Sequence, residues 1–352
     1  MADCEQQLQL QVKEAFDKGT PLRIVGADTK SFMGRPCKGQ PLNTAEHSGI
    51  INYQPTELVV TARAGTPLPE ISAALAENGQ FLPFEPPEFE GRATLGGTLA
   101  TNLSGPARPW RGSIRDAVLG VGLINGRGEQ LRFGGQVMKN VAGYDVSRLQ
   151  AGAMGTLGLI TQVSLKILPR PAASLTLQRE MRVEAALDWM NQLAGQPNPL
   201  SASAWSEGHA YIRLEGAASA VAAAAKKLDG TQLENANVFW SQLGEQQLDY
   251  FQTPDQLWRF SMDSAAPHKK SGADWLIDWG GAQRWLKGNF EKSALESEAQ
   301  RWQGHLSLYR GGNRAGEVLH KLSDGQKKLQ LKIKQAFDPK GILNPGRMYS
   351  WM

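Results

Sequence analysis

Three segments of small and hydroxyl-bearing residues hold the most legible chemistry in the chain. The first, "RIVGADTKSFMG" (residues 23–34), runs from an apolar stretch into Gly26, Ala27, Asp28, Thr29 and Lys30. Successive backbone N–H groups beside hydroxyls form a nest that suits an anion such as a pyrophosphate. The second, "RATLGGTLATNLSG" (residues 92–105), reads as another loop. There Gly96 and Gly97 let the backbone lie against a flat ligand, and Thr94, Thr101, Asn102 and Ser104 offer hydrogen bonds. The third, "AGYDVSRLQAGAMGTLGLI" (residues 142–160), repeats the pattern. Taken singly, each reads equally well as a surface turn. Three in one region point to a site.

Other spacings carry less. "GVGLING" (residues 120–126) resembles a dinucleotide fingerprint, but its third glycine is misplaced and "RGEQLRFGG" follows where a helix should start. The Rossmann context is missing, and a β-hairpin turning through Asn125-Gly126 is expected instead. Two later strands set titratable groups on one face. In "HAYIRLEG", His209, Tyr211 and Arg213 alternate with Ala210, Ile212 and Leu214; in "HLSLYRGGN", His305, Ser307 and Tyr309 alternate with Leu306 and Leu308, and Arg310 lies just beyond. His209, Arg213, His305 and Arg310 are thus the candidates for acid–base and anion-holding work, although a solvated strand face over an apolar core explains the same pattern. Trp258, Trp275 and Trp279 read as core aromatics.

The positions of these groups depend on the elements around them. With 352 residues the chain is long enough for two domains. Its 38 glycines exceed the usual ~7% without a collagen period, and 15 of them fall in the 68 residues from Gly91 to Gly158. The net charge of +4 is small and the basic residues are scattered, which argues against nucleic-acid binding. No apolar run approaches the length of a spanning helix, and the first residues lack a signal-peptide pattern. A cytoplasmic protein, at most peripheral to the inner membrane, is expected. Two cysteines, Cys4 and Cys37, supply neither a Cys₄ zinc site nor a cluster's ligands, so no metal site is expected in this chain.

Leu8, Val12, Ala15 and Phe16 mark one face of a helix over residues 5–18. A strand at "PLRIVG", a strand–turn–helix at residues 57–79 and a strand at "LGLITQVSLKIL" follow, with Pro169-Arg170-Pro171 as a stop. Beyond it the texture changes. "SLTLQREM", "VEAALDWMNQLAG", "LSASAWSEG", "HAYIRLEG" and "ASAVAAAAKKLDG" read β-α-β-β-α.

As an ordered set, "GADTK", "ATLGGTLATNLSG", "RGSIRDAVLGVGLINGRGE", "GYDVSRLQAGAMGTLGLITQVSLKILPRP" and "FDPKGILNPGRM" resemble the FAD-binding domain of the vanillyl-alcohol oxidase and p-cresol methylhydroxylase family. Within that family they are most similar to the FAD-binding accessory subunits of bacterial glycolate oxidases, also called glycolate dehydrogenases. The likeness covers residues 20–171 and 335–348.

The resemblance implies an α+β fold. A two-part FAD-binding domain (residues 1–172, with a C-terminal return at 331–352) would carry an inserted α+β cap (173–330). It implies that Gly26, Ala27, Asp28, Thr29 and Lys30 bind the pyrophosphate, with Ala27 and Asp28 in place of frequent glycines. Thr94, Gly96, Gly97, Thr101, Asn102 and Ser104 would lie along the flavin. Asp145, Gly152, Gly155, Gly158 and Ile160 would close on the nucleotide end, and Asn344, Pro345, Gly346 and Arg347 would pack back on the domain. No histidine lies in these segments, so non-covalent FAD is expected.

The implied function is that of a subunit in a complex oxidising glycolate, a 2-hydroxy acid, to glyoxylate. Its partners would be a larger FAD-binding catalytic subunit and an iron–sulfur subunit. The clustered cap histidines of the larger subunits are not recognisable among His209, His268, His305 and His320. Two other readings are a self-sufficient FAD-dependent 2-hydroxy-acid dehydrogenase and a scaffold without catalytic flavin.

Overall fold

The computed structural model describes residues 2–135, 145–268 and 274–352. By internal contacts the chain separates into two compact units. One comprises Met1–Leu103, Ser113–Pro169 and Arg314–Met352; the other comprises Ser104–Gly112 and Arg170–Asn313.

The first unit is built on a five-stranded antiparallel sheet in the order Ile50–Gln54, Val59–Arg63, Leu159–Lys166, Val118–Ile124, Gln130–Gly134. The predicted strand at Leu159–Lys166 is its centre. It is buried along nearly its whole length, although Thr161, Gln162, Ser164 and Lys166 interrupt its apolar residues. Its two interior hydroxyls are satisfied: Ser164 faces Thr61 on the next strand with the oxygens 2.8 Å apart, and Thr161 donates to the Glu5 carboxylate at 2.8 Å.

Helix Leu68–Ala76 lays Leu68, Ile71 and Leu75 into this core beside Leu95, Leu99, Val163 and Ile167. Helix Glu5–Lys18 buries Leu8, Val12 and Ala15 as the spacing predicts, and Gly19, left-handed at φ 66°, ends it. That helix packs with Leu22, Leu42, Ile342 and Leu343, so the C-terminal segment joins the short parallel pair Leu22–Val25 and Gln40–Asn43.

Two expectations need correction here. The hairpin between Val118–Ile124 and Gln130–Gly134 forms, but its turn is longer than Asn125-Gly126. Asn125 N–H donates to Glu129 O, and the left-handed residue is Gly128, at φ 77°. Gly126 is needed for a different reason: a Cβ there would lie 2.7 Å from the Asp338 backbone. The second small-residue segment is not a loop either. Leu95–Thr101 is an α-helix, with Thr94 Oγ1 capping the Gly97 N–H at 3.3 Å.

The second unit carries an eight-stranded antiparallel sheet. Its order is Thr231–Gln232, Ala173–Glu180, His209–Gly216, Leu200–Ser206, Trp275–Asp278, Gln283–Lys287, Leu257–Ser261, His305–Arg310. The β-α-β-β-α start is as predicted, with helices Val183–Ala194 and Ala218–Lys227 packing Leu187, Met190 and Val221 onto Ala210, Ile212 and Leu214. The opposite face was expected to be solvated and is not. Helix Ala236–Glu245 covers it, stacking Phe239 on Tyr211 (4.0 Å between centroids) and placing the Trp240 ring 5.2 Å from the Arg213 guanidinium. Trp258 and Trp279 are core residues as expected, while Trp275 is only half-buried.

Candidate functional site

The first unit contains an open, concave cleft. Its walls come from the strand end at Gly26–Lys30, helix Leu95–Thr101, the Gly155–Ile160 turn and Asn344 with Arg347. Fourteen of the eighteen sequence-predicted cofactor residues line it: Gly26, Ala27, Asp28, Thr29, Lys30, Thr94, Gly96, Gly97, Thr101, Gly155, Gly158, Ile160, Asn344 and Arg347.

Within the expected nest Asp28 sits left-handed at φ 56°. Aspartate tolerates that conformation better than most side chains, which accounts for its place where glycine is frequent. The Ser31 N–H and hydroxyl both donate to Asp28 O. The Asp28 carboxylate turns to Arg23 at 3.7 Å, which offsets its charge beside the cleft. Lys30 is buried at the cleft wall, with its ammonium 5.2 Å from the Phe89 ring centroid.

Glycines let the walls approach one another. A Cβ on Gly26 would lie 2.9 Å from Thr94 Oγ1, and one on Gly96 would lie 2.7 Å from Ala64 Cβ. Gly96 and Gly97 both border the cleft; Gly96 also serves close helix–strand packing, and a Cβ on Gly97 would lie 3.1 Å from Thr94 Oγ1 and 3.9 Å from Lys30 Nζ. Gly155, at φ 71°, would drive a Cβ to 2.7 Å from Asn344 Nδ2.

Asn344 ties the walls together. Its Oδ1 accepts from Ile24 N–H at 2.8 Å and its Nδ2 donates to Met154 O at 2.7 Å. Arg347 donates to the carbonyls of Lys30, Ser31 and Arg35, and burial lowers its pKa.

Four predicted residues lie away from the cleft lining. Asp145 caps helix Val146–Leu149 by accepting from Arg148 N–H, and it is exposed. Gly152 supplies a left-handed turn at φ 83°. Asn102 ends the capped helix at φ 52°, and its Oδ1 is buried without a hydrogen-bond partner among the described residues, as is Ser104 Oγ. Residues 142–144 of the third segment lie outside the described residues.

The sequence reading missed Lys334 and Asp338. This buried pair, 2.7 Å apart, fixes the C-terminal segment: Lys334 also donates to Thr156 O and Leu343 O, and Asp338 accepts from the Ile342 and Leu343 N–H groups. An i,i+4 Lys–Asp spacing normally marks a surface pair, and nothing else in the sequence signals its burial.

The four acid–base and anion candidates do not gather. His209 and Arg213 lie on one strand, His305 and Arg310 on another, with four strands between them. Arg213 is committed to Ser201 Oγ at 2.8 Å and the Glu215 carboxylate at 3.3 Å, while Arg310 donates to Phe251 O. His209 Nδ1 lies 3.1 Å from Glu207 O, and His305 is exposed at the start of the edge strand. Among the described residues, no group of three or more His, Cys, Asp or Glu could hold a metal ion, and no helix is long and apolar enough to cross a membrane.

The cleft suits FAD. Lys30, Arg23 and Arg347 bring positive charge to its walls, Asp28 is left-handed at φ 56°, and Gly97 leaves room where a side chain would protrude. Residues 1–134 match the family described as "FAD binding domain". Over 97% of the chain the fold follows alkyldihydroxyacetonephosphate synthase, covering 75% of that structure with a TM-score of 0.65 at 14% identity. The chain is thus an FAD-dependent oxidoreductase subunit of the p-cresol methylhydroxylase type, with FAD as its cofactor.

Among curated proteins it is 26% identical to D-lactate dehydrogenase of Archaeoglobus fulgidus, across 96% of this chain and 88% of that one. It is 47% identical to glycolate oxidase subunit GlcE of Escherichia coli, across 99% and 98% of the two chains. The chain belongs to the GlcE family of glycolate oxidase subunits.

Proposed function

We propose that this chain is the FAD-carrying subunit of a glycolate-oxidising complex, and that its electrons leave through an iron–sulfur subunit while a larger FAD-binding subunit completes the assembly. The observation behind this reading is the end-to-end likeness to a glycolate oxidase subunit combined with a cleft whose walls are all present. Bound FAD supplies the capacity to accept a hydride and pass electrons on. The chain's own part is to hold it. The Asp28 nest with Lys30 and Arg347 takes the pyrophosphate end, and helix Leu95–Thr101 with Gly97 forms the wall along the ring.

Attachment is non-covalent, because among the described residues the cleft lining includes no histidine or tyrosine, and Cys37 is a half-buried thiol whose pKa burial raises. The second unit, Arg170–Asn313 with Ser104–Gly112 against the expected 173–330, acts as the cap inserted into the FAD domain. The chain does not oxidise glycolate by itself, since His209, Arg213, His305 and Arg310 do not converge. The test is stopped-flow flavin reduction by glycolate, with the chain alone and then with its partner subunits. Slow reduction alone and fast reduction in the complex are expected. Rapid reduction by the isolated chain would overturn the partner-dependent reading.

A further inference from the structure

The second unit contains an arginine that its fold does not use. Arg259 lies mid-strand in Leu257–Ser261, paired across with Trp285 on one side and Ser307 on the other. It is half-buried, and among the described residues its guanidinium makes neither a hydrogen bond nor an ion pair. Its neighbour is the Tyr309 ring, 5.4 Å away. The other interior arginines of this unit are committed: Arg213 to Ser201 and Glu215, Arg284 to the carbonyls of Gly281, Pro267 and Ala266. A desolvated cation without an anion is costly and calls for one from outside.

The surroundings are arranged like a site. Arg108 adds a second positive charge near Arg259, and its guanidinium lies 4.5 Å over the Trp279 ring. Trp279 is held left-handed at φ 55°, a strained conformation for a bulky residue, with its N–H on Asp278 Oδ1 and its Nε1 on Gly105 O at 3.0 Å. Tyr309 Oη accepts from Gln246 Nε2 at 2.6 Å, and the other amide atom of Gln246, itself left-handed at φ 58°, is buried without a partner. Burial lowers the Arg259 pKa; Tyr309 opposes this and the Arg108 charge adds to it.

We propose that Arg259 and Arg108, framed by Tyr309, Trp279 and Gln246, form a binding site for the carboxylate of a small 2-hydroxy acid. The planar guanidinium fork of Arg259 matches a carboxylate bidentately, and a compact polar head fits a setting of two cations, two aromatic rings and one unpaired amide oxygen able to accept from a hydroxyl. Naming a 2-hydroxy acid rests on the function proposed above, whereas the carboxylate site stands on the arginines alone.

The experiment is calorimetric titration of the whole flavin-bearing chain with sodium glycolate, repeated with sodium phosphate. Saturable glycolate binding is expected. Arg259→Met should weaken it by about tenfold or more, leaving flavin absorbance unchanged and the thermal midpoint unchanged or raised. Arg259→Lys, which keeps the charge and loses the fork, should bind with intermediate affinity and serves as the test if the methionine variant does not fold. No binding by the parent chain, unaltered affinity in the variants, or phosphate binding as tightly as glycolate would overturn the proposal. A colourless chain would count against the cofactor reading of the first unit instead, and the same titration on it would still decide the carboxylate site.

Discussion

The cofactor cleft and the sheet face around Arg259 are built by opposite means. The cleft is shaped mainly by backbone: Gly26, Gly97 and Gly155 make room, Asp28 and Asn344 take left-handed conformations, and Asn344 and Arg347 bind their neighbours chiefly through carbonyl and amide groups. The sheet face is shaped by side chains, with Trp279, Tyr309 and Trp285 packed around two arginines. A backbone-built site fails when its framework shifts. A side-chain-built one can lose its charge and keep its fold. Variants in the first unit should therefore lose stability and flavin together, and those at Arg259 should lose only a ligand.

The largest effect is expected at Lys334. Lys334→Met leaves the buried Asp338 carboxylate unpaired and should cost about 3–5 kcal/mol, read as a fall in the denaturation midpoint with release of flavin. Asn344→Ala is next. It strips partners from Ile24 N–H and Met154 O, at about 1–3 kcal/mol for each group left unsatisfied, and equilibrium titration should show weaker FAD binding. Gly155→Ala imposes a side chain at φ 71° against Asn344 and should cost about 1–3 kcal/mol. If any of these kept full FAD affinity while Arg259→Met lost it, the contrast between the two regions would be reversed.

The smallest effect concerns pH. His47 is buried, its Nδ1 accepts Cys4 N–H at 3.1 Å, and burial holds its pKa below the ordinary 6.5, with Asp3 and Glu5 pulling upward and Arg63 downward. As pH falls below 6.5, the unfolded chain takes up this proton first. Stability present above that pH is therefore lost progressively towards the folded-state value. Thermal melts between pH 7.5 and 5 should show a steeper decline for the parent than for His47→Gln; equal slopes would remove His47 from the account.

Much of the cleft was legible because glycine, threonine and asparagine mark backbone geometry directly. The Gly26–Lys30 nest follows from that. The helix Leu95–Thr101 did not, since a Gly-Gly pair disfavours helix by about 1 kcal/mol per residue and only packing on Ala64 restores it. Its one local sign was Thr94, an N-cap residue. The covering of Tyr211 and Arg213 was also hidden, because strand alternation reveals two faces but not that a later helix closes the second. Arg259 was invisible for the same reason: between Trp258 and Phe260 it reads as an ordinary outward-facing residue.

The most direct test of the central claim is the flavin content of the purified chain beside Asn344→Ala and Arg259→Met, from the visible spectrum followed by acid precipitation. A yellow parent and a yellow Arg259→Met variant that release FAD into the supernatant, with a flavin-depleted Asn344→Ala, are the predicted result. A parent that stays colourless after incubation with FAD, or flavin that remains in the precipitate, would contradict a dissociable FAD held by the backbone-built cleft.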